Sequence, residues 1–566
     1  MSMDYDFSEL DNGLMDLADY KLPQHRGRSP QIISLHPALP RGQRGVVFDI
    51  YDYDMLFGDE GTKKLIREGN TIGCFYIESP GMRSLLKRLS VDTFEMLTAA
   101  SSIIRPGVAE SGMMKEFIDR HLNPGLRKYM IPKMEEYLAE TYGVMIYQED
   151  VLKVVHHIAG LTLEEADLLR RAMSGKMRSP DTMRRLQEKF LASAMMNGVS
   201  KCITEELWRQ VSSFAGYAFC KAHSASFALL SFQVAYLKSH YPAEFLASVL
   251  SNQGGYYSPA VYVQEAKRLG IKIELPSVNE SQHDYTGSGR RIRIGLMAVK
   301  NLSAASIKRI VSEREENGKY VSLSDFIVRV RLGFEENAKL IRCGAMDCFK
   351  YSRPSLMRLL DIYLRQRKIL EESYNDLFFH ESFKMEKETV TDSEYSVEEK
   401  CRIEMETFDY MVTRHPLNFF EDWISGSGII TADSMRKYNG KKVKMAGWYM
   451  TSKRIKTKKG EIMKFISLED LTGTFEAVIF PRAYEKFAAD TLSMGPFVLE
   501  GTVDAAAGNN LIVEKLEVLT SIELRSSIQK DSSEHNYYGD TEKFSDDELG
   551  LVERLGKEKL RIAYAS

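Results

Sequence analysis

Cysteine is scarce and scattered in this chain of 566 residues. The six thiols, Cys74, Cys202, Cys220, Cys343, Cys348 and Cys401, form no Cys-x-x-Cys pair, which leaves neither a zinc ligand spacing nor a disulfide framework. They read as buried or incidental thiols. No run of eighteen apolar residues offers a membrane span, so no membrane partner is expected. The start, MSMDYDFSELDNGL, is acidic and lacks the basic, then apolar, order of an export signal. A cytoplasmic location is the default expectation. There is no phosphate-cradling glycine loop of the Walker type and no Gly-x-Ser-x-Gly elbow.

What is present is the composition of a soluble globular chain, 44% apolar and 27% charged, long enough for three or more domains with sizeable cores. The net charge of -3 conceals an uneven distribution. Between Lys441 and Lys464 stand nine basic residues, at 441, 442, 444, 453, 454, 456, 458, 459 and 464, against one acid, Glu461. The tail DTEKFSDDE, 540 to 548, is acidic and polar, as a solvated segment would be.

Texture divides the chain into an atypical amino-terminal segment (1–48), a large helical block (49–290), small helical hairpin units (291–350), a helical segment and linker (351–438), a β-rich domain (439–520) and an acidic tail (521–566). Thr162 and Glu165 have capping-box spacing, with Gly175 as a C-terminal stop. RIRIGL reads as a short strand and is followed by a helix, while KMEKETVTDSEYSVEEK reads as linker. From 439 to 520 five β-like runs, KVKMAGWYMTSKRI, MKFISLED, FEAVIF, FVLEGTVD and NLIVEKLEVL, point to a small barrel of the oligonucleotide-binding type. Its first hairpin interleaves Lys441, Lys444, Lys453, Arg454, Lys456 and Lys458 with Trp448, Tyr449 and Phe465. Cationic grooves with aromatic platforms are what single strands bind. The plain alternative is a solvated hairpin tip over core aromatics, since alternation turns some of them inward.

GYAFCKAHSASFALLSF, 216 to 232, places Lys221 and His223 at the start of a helix. Ser224 is the expected N-cap, with Phe227, Leu230, Val234 and Leu237 as the apolar face. Free N–H groups, the dipole and two basic side chains describe an anion pocket, which Arg170, Arg171 and Lys176 could complete. The alternatives are that Arg170 and Arg171 simply favour a helix C-terminus and that His223 is structural. His156 and His157, adjacent on a helix, face different ways and read as structural. Asp49, Asp52 and Asp54, or Asp4 and Asp6, could in principle hold two metal ions, but such pairs are common in loops.

NTIGCFYIESPGMRSLLKRL, IIRPGVAESGMMKEFIDRH, TYGVMIYQEDVLKVVHHIAGLTLEEADLLRRAMSGK, FAGYAFCKAHSASFALLSFQVAYLKSHYPAEFLASVLS and KRLGIKIELPSVNES resemble, in order and spacing, the fingers of the C-family replicative DNA polymerases, the bacterial DNA polymerase III alpha subunits and their error-prone paralogues. The resemblance implies a multidomain, mostly α fingers and helix-hairpin-helix region followed by a small all-β OB-fold barrel. It implies DNA-directed DNA polymerase chemistry, nucleotidyl transfer from dNTPs onto a primer 3' end, with Mg2+ as the cofactor and primer-template and single-stranded DNA as partners. Carried over by position, Arg170, Arg171, Lys221 and His223 would meet the triphosphate. In IGLMAVKNLSAASIKRI the hairpin holds Asn301, Leu302 and Ser303 where the family is glycine-rich, which implies weakened phosphate binding. YNDLFF resembles the family's sliding-clamp motif, with Leu377 and Phe378 as anchors and Tyr374 in place of the usual glutamine. The palm carboxylates of the family have no match here, so the catalytic residues are left unassigned and the chain is expected to be a fragment, a split-gene half needing a palm-bearing chain, or a degenerate relative. A non-catalytic DNA-binding relative is the competing expectation.

Overall fold

The computed structural model describes residues 49–105, 108, 111–173, 180–214, 220–366, 393–457, 459–505 and 508–519. Met1–Gly58 and Asp59–Ser566 are separate units. In the described part of the first, Asp49 and Asp52 accept hydrogen bonds from the N–H groups of Tyr51 (2.9 Å) and Met55 (3.0 Å) around the start of the helix Tyr53–Gly58. Those carboxylates serve the local backbone.

The second unit opens with the helical block. Serine, threonine or aspartate stands at successive helix starts: Asp59 before Glu60–Arg67, Ser79 before Pro80–Leu89 and Thr93 before Phe94–Ile103. Each accepts a backbone N–H that the helix leaves unpaired. The Thr162 and Glu165 pair closes reciprocally, each side chain accepting the other's N–H, at 3.1 and 3.3 Å, before the helix Leu163–Met173. Gly175 lies outside the described residues.

The central element is the helix Lys221–His240. Its buried face differs from the expected stripe. Ser224, Ala228, Ser231, Phe232 and Ala235 are buried, whereas Leu230 is 40% exposed and Phe227, Val234 and Leu237 are only half-buried. The reason is the neighbour. Phe94–Ile103 packs against it with a run of small residues, Thr98, Ala99, Ala100, Ser101 and Ser102, all buried. Small facing small lets two backbones approach closely, and the Ser102 and Ser224 hydroxyls hydrogen-bond across the seam at 2.7 Å. Ser224 is therefore a seam residue inside the first turn, and Cys220 occupies the N-cap position without a side-chain bond.

Near the other end of this helix, Lys238 is buried. Its side chain is 1% exposed and donates to the carbonyls of Asn70 and Ile72, both at 2.7 Å, and to Glu265 at 2.6 Å. Glu265 also meets Arg268 (3.1 Å), whose other nitrogen reaches Glu469 at 2.7 Å. A chain of alternating charges thus runs from the helical block to the β domain. Arg83 adds a bond to Thr474 (3.1 Å), and Lys267 one to the Val412 carbonyl (2.7 Å).

A small sheet of β1 (Lys272–Glu274), β2 (Thr286–Ser288) and β3 (Arg291–Arg293), ordered β1-β3-β2, leads into paired helices. These are Ala304–Asn317 with Leu323–Val330, and Phe334–Arg342 with Arg353–Arg365. Part of the expected linker is helical: Ser396 caps Val397–Phe408, where Cys401, Ile403 and Phe408 are buried.

The β domain contains β4 (Ile429–Ile430), β5 (Lys442–Lys456), β6 (Ile462–Glu469), β7 (Thr474–Ile479), β8 (Phe497–Asp504) and β9 (Asn510–Val518). Neighbours run β5-β6-β7-β9-β8, and β8 returns to β5, closing a five-stranded barrel with a helix, Pro481–Phe487, between β7 and β8. This is the OB-fold arrangement expected from the strand pattern. Met445, Ile466, Leu468, Phe475, Phe497, Leu499 and Leu511 fill it. Gly501 sits at a register shift against β9, where a side chain would meet the Ile512 carbonyl at 2.1 Å.

Removing one partner from the buried charge chain strands the others in low dielectric, so Arg268→Ala should cost about 3 kcal/mol of stability in urea unfolding; a loss below about 1 kcal/mol would contradict this. Burial alone would raise the Glu265 carboxyl, but Lys238 and Arg268 override it and hold the pKa down at about 2. A depressed carboxylate stabilises the fold above its unfolded value of about 4.3. The Glu265 contribution should therefore be complete above that pH and disappear as pH falls through 2, an acid loss that Glu265→Gln should lack.

Candidate anion pocket and nucleic-acid interface

Lys221 is the first residue of its helix. Its backbone N–H donates to Glu149 Oε2 at 2.9 Å and its Nζ to Glu140 Oε2 at 2.6 Å. The Nζ also lies 5.4 Å from the centre of the buried Tyr147 ring. Glu149 belongs to the helix Gln148–Lys153, whose next residue, Asp150, accepts the N–H groups of Ile146 and Tyr147 (2.9 and 3.0 Å). Burial pushes the Asp150 carboxyl up to about 7 against those two donors. The chain's own carboxylates meet the helix start and the Lys221 side chain: a helix N-terminus and an ammonium attract negative charge wherever it comes from.

His223 stands two residues on, exposed, with its ring edge-on to Phe227 at 4.4 Å. Phe227 stacks on Tyr76 (4.9 Å) and tilts against Phe75 (5.5 Å), and the Arg105 guanidinium covers Tyr76 at 5.2 Å. Phe75 is 46% exposed, so an aromatic wall stands beside the helix start.

Arg170 and Arg171 both pair with Asp167 of their own helix, at 2.7 and 2.6 Å. Their helix, Leu163–Met173, packs on Gln148–Lys153, the same element that supplies Glu149 to Lys221. The two segments thus share a neighbour, while the arginine ion pairs stay local. Lys176 lies outside the described residues. His156 Nδ1 donates to the Leu161 carbonyl (2.7 Å), and His157 stacks on Tyr137 at 4.2 Å. Among the described residues no three histidines, cysteines or acids gather as a metal group would require.

On the barrel, cross-strand partners share a face. Tyr449 pairs with Leu468 and packs on the core, while Trp448 pairs with Glu469 on the outer face. A bulge between Tyr449 and Thr451 shifts the alternation, so that Lys453 lies outside opposite Phe465. Lys441, Lys453, Lys456 and Lys459 are exposed, and Arg454, Trp448 and Phe465 half-buried. Lys442 pairs with Glu514 at 2.7 Å. Lys464, counted in the basic run, is buried and donates to the Thr491 carbonyl at 3.0 Å, because the uninterrupted alternation of β6 turns it inward with Ile466 and Leu468. Lys444 places its Nζ 5.1 Å from the centre of the Trp423 ring, a partner that strand alternation could not reveal because it lies outside the strands. Lys458, and Leu377 and Phe378 of the clamp-like motif, lie outside the described residues.

In the hairpin before Ala304–Asn317, Asn301 takes a positive φ of 60°, the conformation in which glycine is favoured. The Ser303 N–H donates to Glu336 at 3.2 Å, and Lys300 pairs with Asp409. Here too a carboxylate takes a backbone donor at a helix start.

The family model for the bacterial DNA polymerase III alpha subunit finger domain matches residues 32–198, and a helix-hairpin-helix model matches 270–356. Curated relatives bearing the name DNA polymerase III subunit alpha include those of Bacillus subtilis, 30% identical over 85% of this chain and 44% of the relative, and Campylobacter jejuni, 31% identical over 79% and 38%. That of Aquifex aeolicus is 32% identical over 80% of this chain and 38% of its own. The chain spans less than half the length of these relatives.

If Glu149 competes for the helix start, its neutral form should yield more readily. Glu149→Gln should raise the affinity for inorganic tripolyphosphate about fivefold or more by titration calorimetry; an unchanged or weaker affinity would show that the carboxylate is not a competitor.

Proposed function

We propose that the chain is a member of the C-family DNA polymerases and supplies the fingers and DNA-binding portion of a DNA polymerase III alpha subunit. The observation that carries this reading is the start of the helix Lys221–His240, where a helix N-terminus and the Lys221 ammonium together hold two carboxylates, Glu149 and Glu140. A nucleoside triphosphate carries several oxyanions of the same kind and would replace both. Lys221 then turns its charge from Glu140 to a phosphate, and its N–H from Glu149 to a phosphate oxygen. Arg170 and Arg171, half-buried and exposed, need only leave Asp167 to add charge-assisted bonds. His223 stands at the mouth of the same site.

The family reaction joins the primer 3' oxygen to the α-phosphorus and releases pyrophosphate. Its metal ions need gathered carboxylates. The described residues do not fit that need, since Asp49 and Asp52 accept backbone N–H groups and no acidic group forms. Catalytic carboxylates therefore come from outside the described residues, and what this chain contributes is binding and orientation of the triphosphate and of DNA. The OB-fold barrel, with its cationic and aromatic outer face, suits a single-stranded template. The sliding clamp is a further partner through Leu377 and Phe378. Phosphate binding at the helix-hairpin-helix is weakened by Glu336, which already holds the Ser303 N–H.

Two measurements test the reading. Lys221→Ala should weaken dNTP binding at least tenfold while leaving single-strand affinity within about twofold. Glu140, the lost partner, is 44% exposed, so the variant should remain folded; unaltered nucleotide affinity sinks the assignment. Primer extension should appear when a palm-bearing chain is supplied. Failure in every combination, with single-strand binding intact, would leave a non-catalytic DNA-binding relative.

A further inference from the structure

Trp423 lies outside the barrel strands, in the short helix Glu421–Gly426, and is 41% exposed. That helix leads directly into β4, where Ile429 and Ile430 pair in parallel with Lys444 and Met445 of β5. Trp423 is thereby carried onto the barrel surface beside the first half of β5, where Lys444 extends over its ring. Glu500, opposite Lys444 on β8, is engaged with Lys515 at 2.9 Å.

The outer residues of β5 continue the pattern. Lys442, Lys444 and Trp448 share the outer face before the bulge, and Lys453 takes it up afterwards, with Phe465 of β6 directly across. At about 3.3 Å per residue, the nine steps from Lys444 to Lys453 span roughly 30 Å. Cations and aromatic faces thus alternate in one row: Trp423, Lys444, Trp448, Lys453 and Phe465. Trp423 keeps much of its surface in water, and its cation partner is one of the lysines on the candidate path of the strand. A base stacked on the ring, with its phosphate near Lys444, would use both features.

We infer that Trp423 is a base-stacking residue for single-stranded DNA, extending the strand's path off the barrel beyond β5. The inference rests on the single-strand reading of the barrel. The chain has three tryptophans, and Trp208 is buried away from any bound base, so quenching of the indole fluorescence reports on Trp423 and Trp448. On titrating the full chain with oligothymidylate, the quench should fall in each of Trp423→Phe and Trp448→Phe, each variant keeping the part due to the other indole. Trp423→Ala should bind at least fivefold more weakly, and Lys444→Met should reduce the slope of log affinity against log salt by about 0.7. Should the alanine variant unfold, the two phenylalanine variants still decide. A quench undiminished in Trp423→Phe overturns the inference while leaving the barrel reading intact. Absence of any oligonucleotide binding by the wild-type chain overturns the barrel reading, and this inference with it.

Discussion

The ammonium of Lys238 is the constraint on which the rest depends. With its side chain almost wholly out of water, it must find partners within the fold, and it takes two carbonyls and a carboxylate. Those partners come from two places: Asn70 and Ile72 lie between the helices Glu60–Arg67 and Pro80–Leu89, and Glu265 belongs to the helix Pro259–Arg268. Satisfying one charge therefore fixes three segments. Glu265 passes the requirement to Arg268, and Arg268 to Glu469 at the end of β6. The helix that begins with Lys221 and the barrel that carries the basic hairpin are tied to the same buried chain of charges. Seventeen residues of helix, roughly 25 Å, separate Lys238 from Lys221, a rigid spacer between the anchor and the pocket.

The pocket shows the same physics with the opposite outcome. At the start of the helix Lys221–His240 the positive groups are partly exposed, and the carboxylates that meet them, Glu140 and Glu149, are held by single bonds. Partners near water exchange at small cost, whereas partners in the core do not. Glu336 on the Ser303 N–H and Asp167 beneath two arginines repeat the arrangement. Internal carboxylates thus stand at the places where a polyanionic ligand of this family would be expected to sit.

Much of this was legible in the sequence wherever the signal is local. Alternation located every strand of the barrel, and the Thr162 and Glu165 spacing located a helix start that closes reciprocally. The family resemblance, carried by long exact-order motifs, matches the finger-domain and helix-hairpin-helix comparisons. The misses share a cause. Ser224 was expected as a cap because serine at such a position usually is one, but the adjacent Ser102 made it a seam residue. Lys464 was counted as a surface charge because composition counts a lysine as solvated, whereas the alternation of β6 turns it inward with Ile466 and Leu468 and the distant Thr491 carbonyl receives it. Glu149 and Trp423 owe their roles to partners 72 and 21 positions distant, and nothing in their own neighbourhoods announces it.

Amide hydrogen exchange of the full chain, with and without a dNTP, tests the central claim most directly. The Lys221 amide is held by Glu149 in the free protein and would be held by phosphate in the bound one, with its first-turn neighbours covered, so the expected result is slower exchange confined to residues 221 to 224 and the neighbouring Leu163–Met173 helix. The barrel strands should be unchanged. Protection appearing only elsewhere, or none at a dNTP concentration that saturates binding, would contradict the assignment of the triphosphate to this helix start.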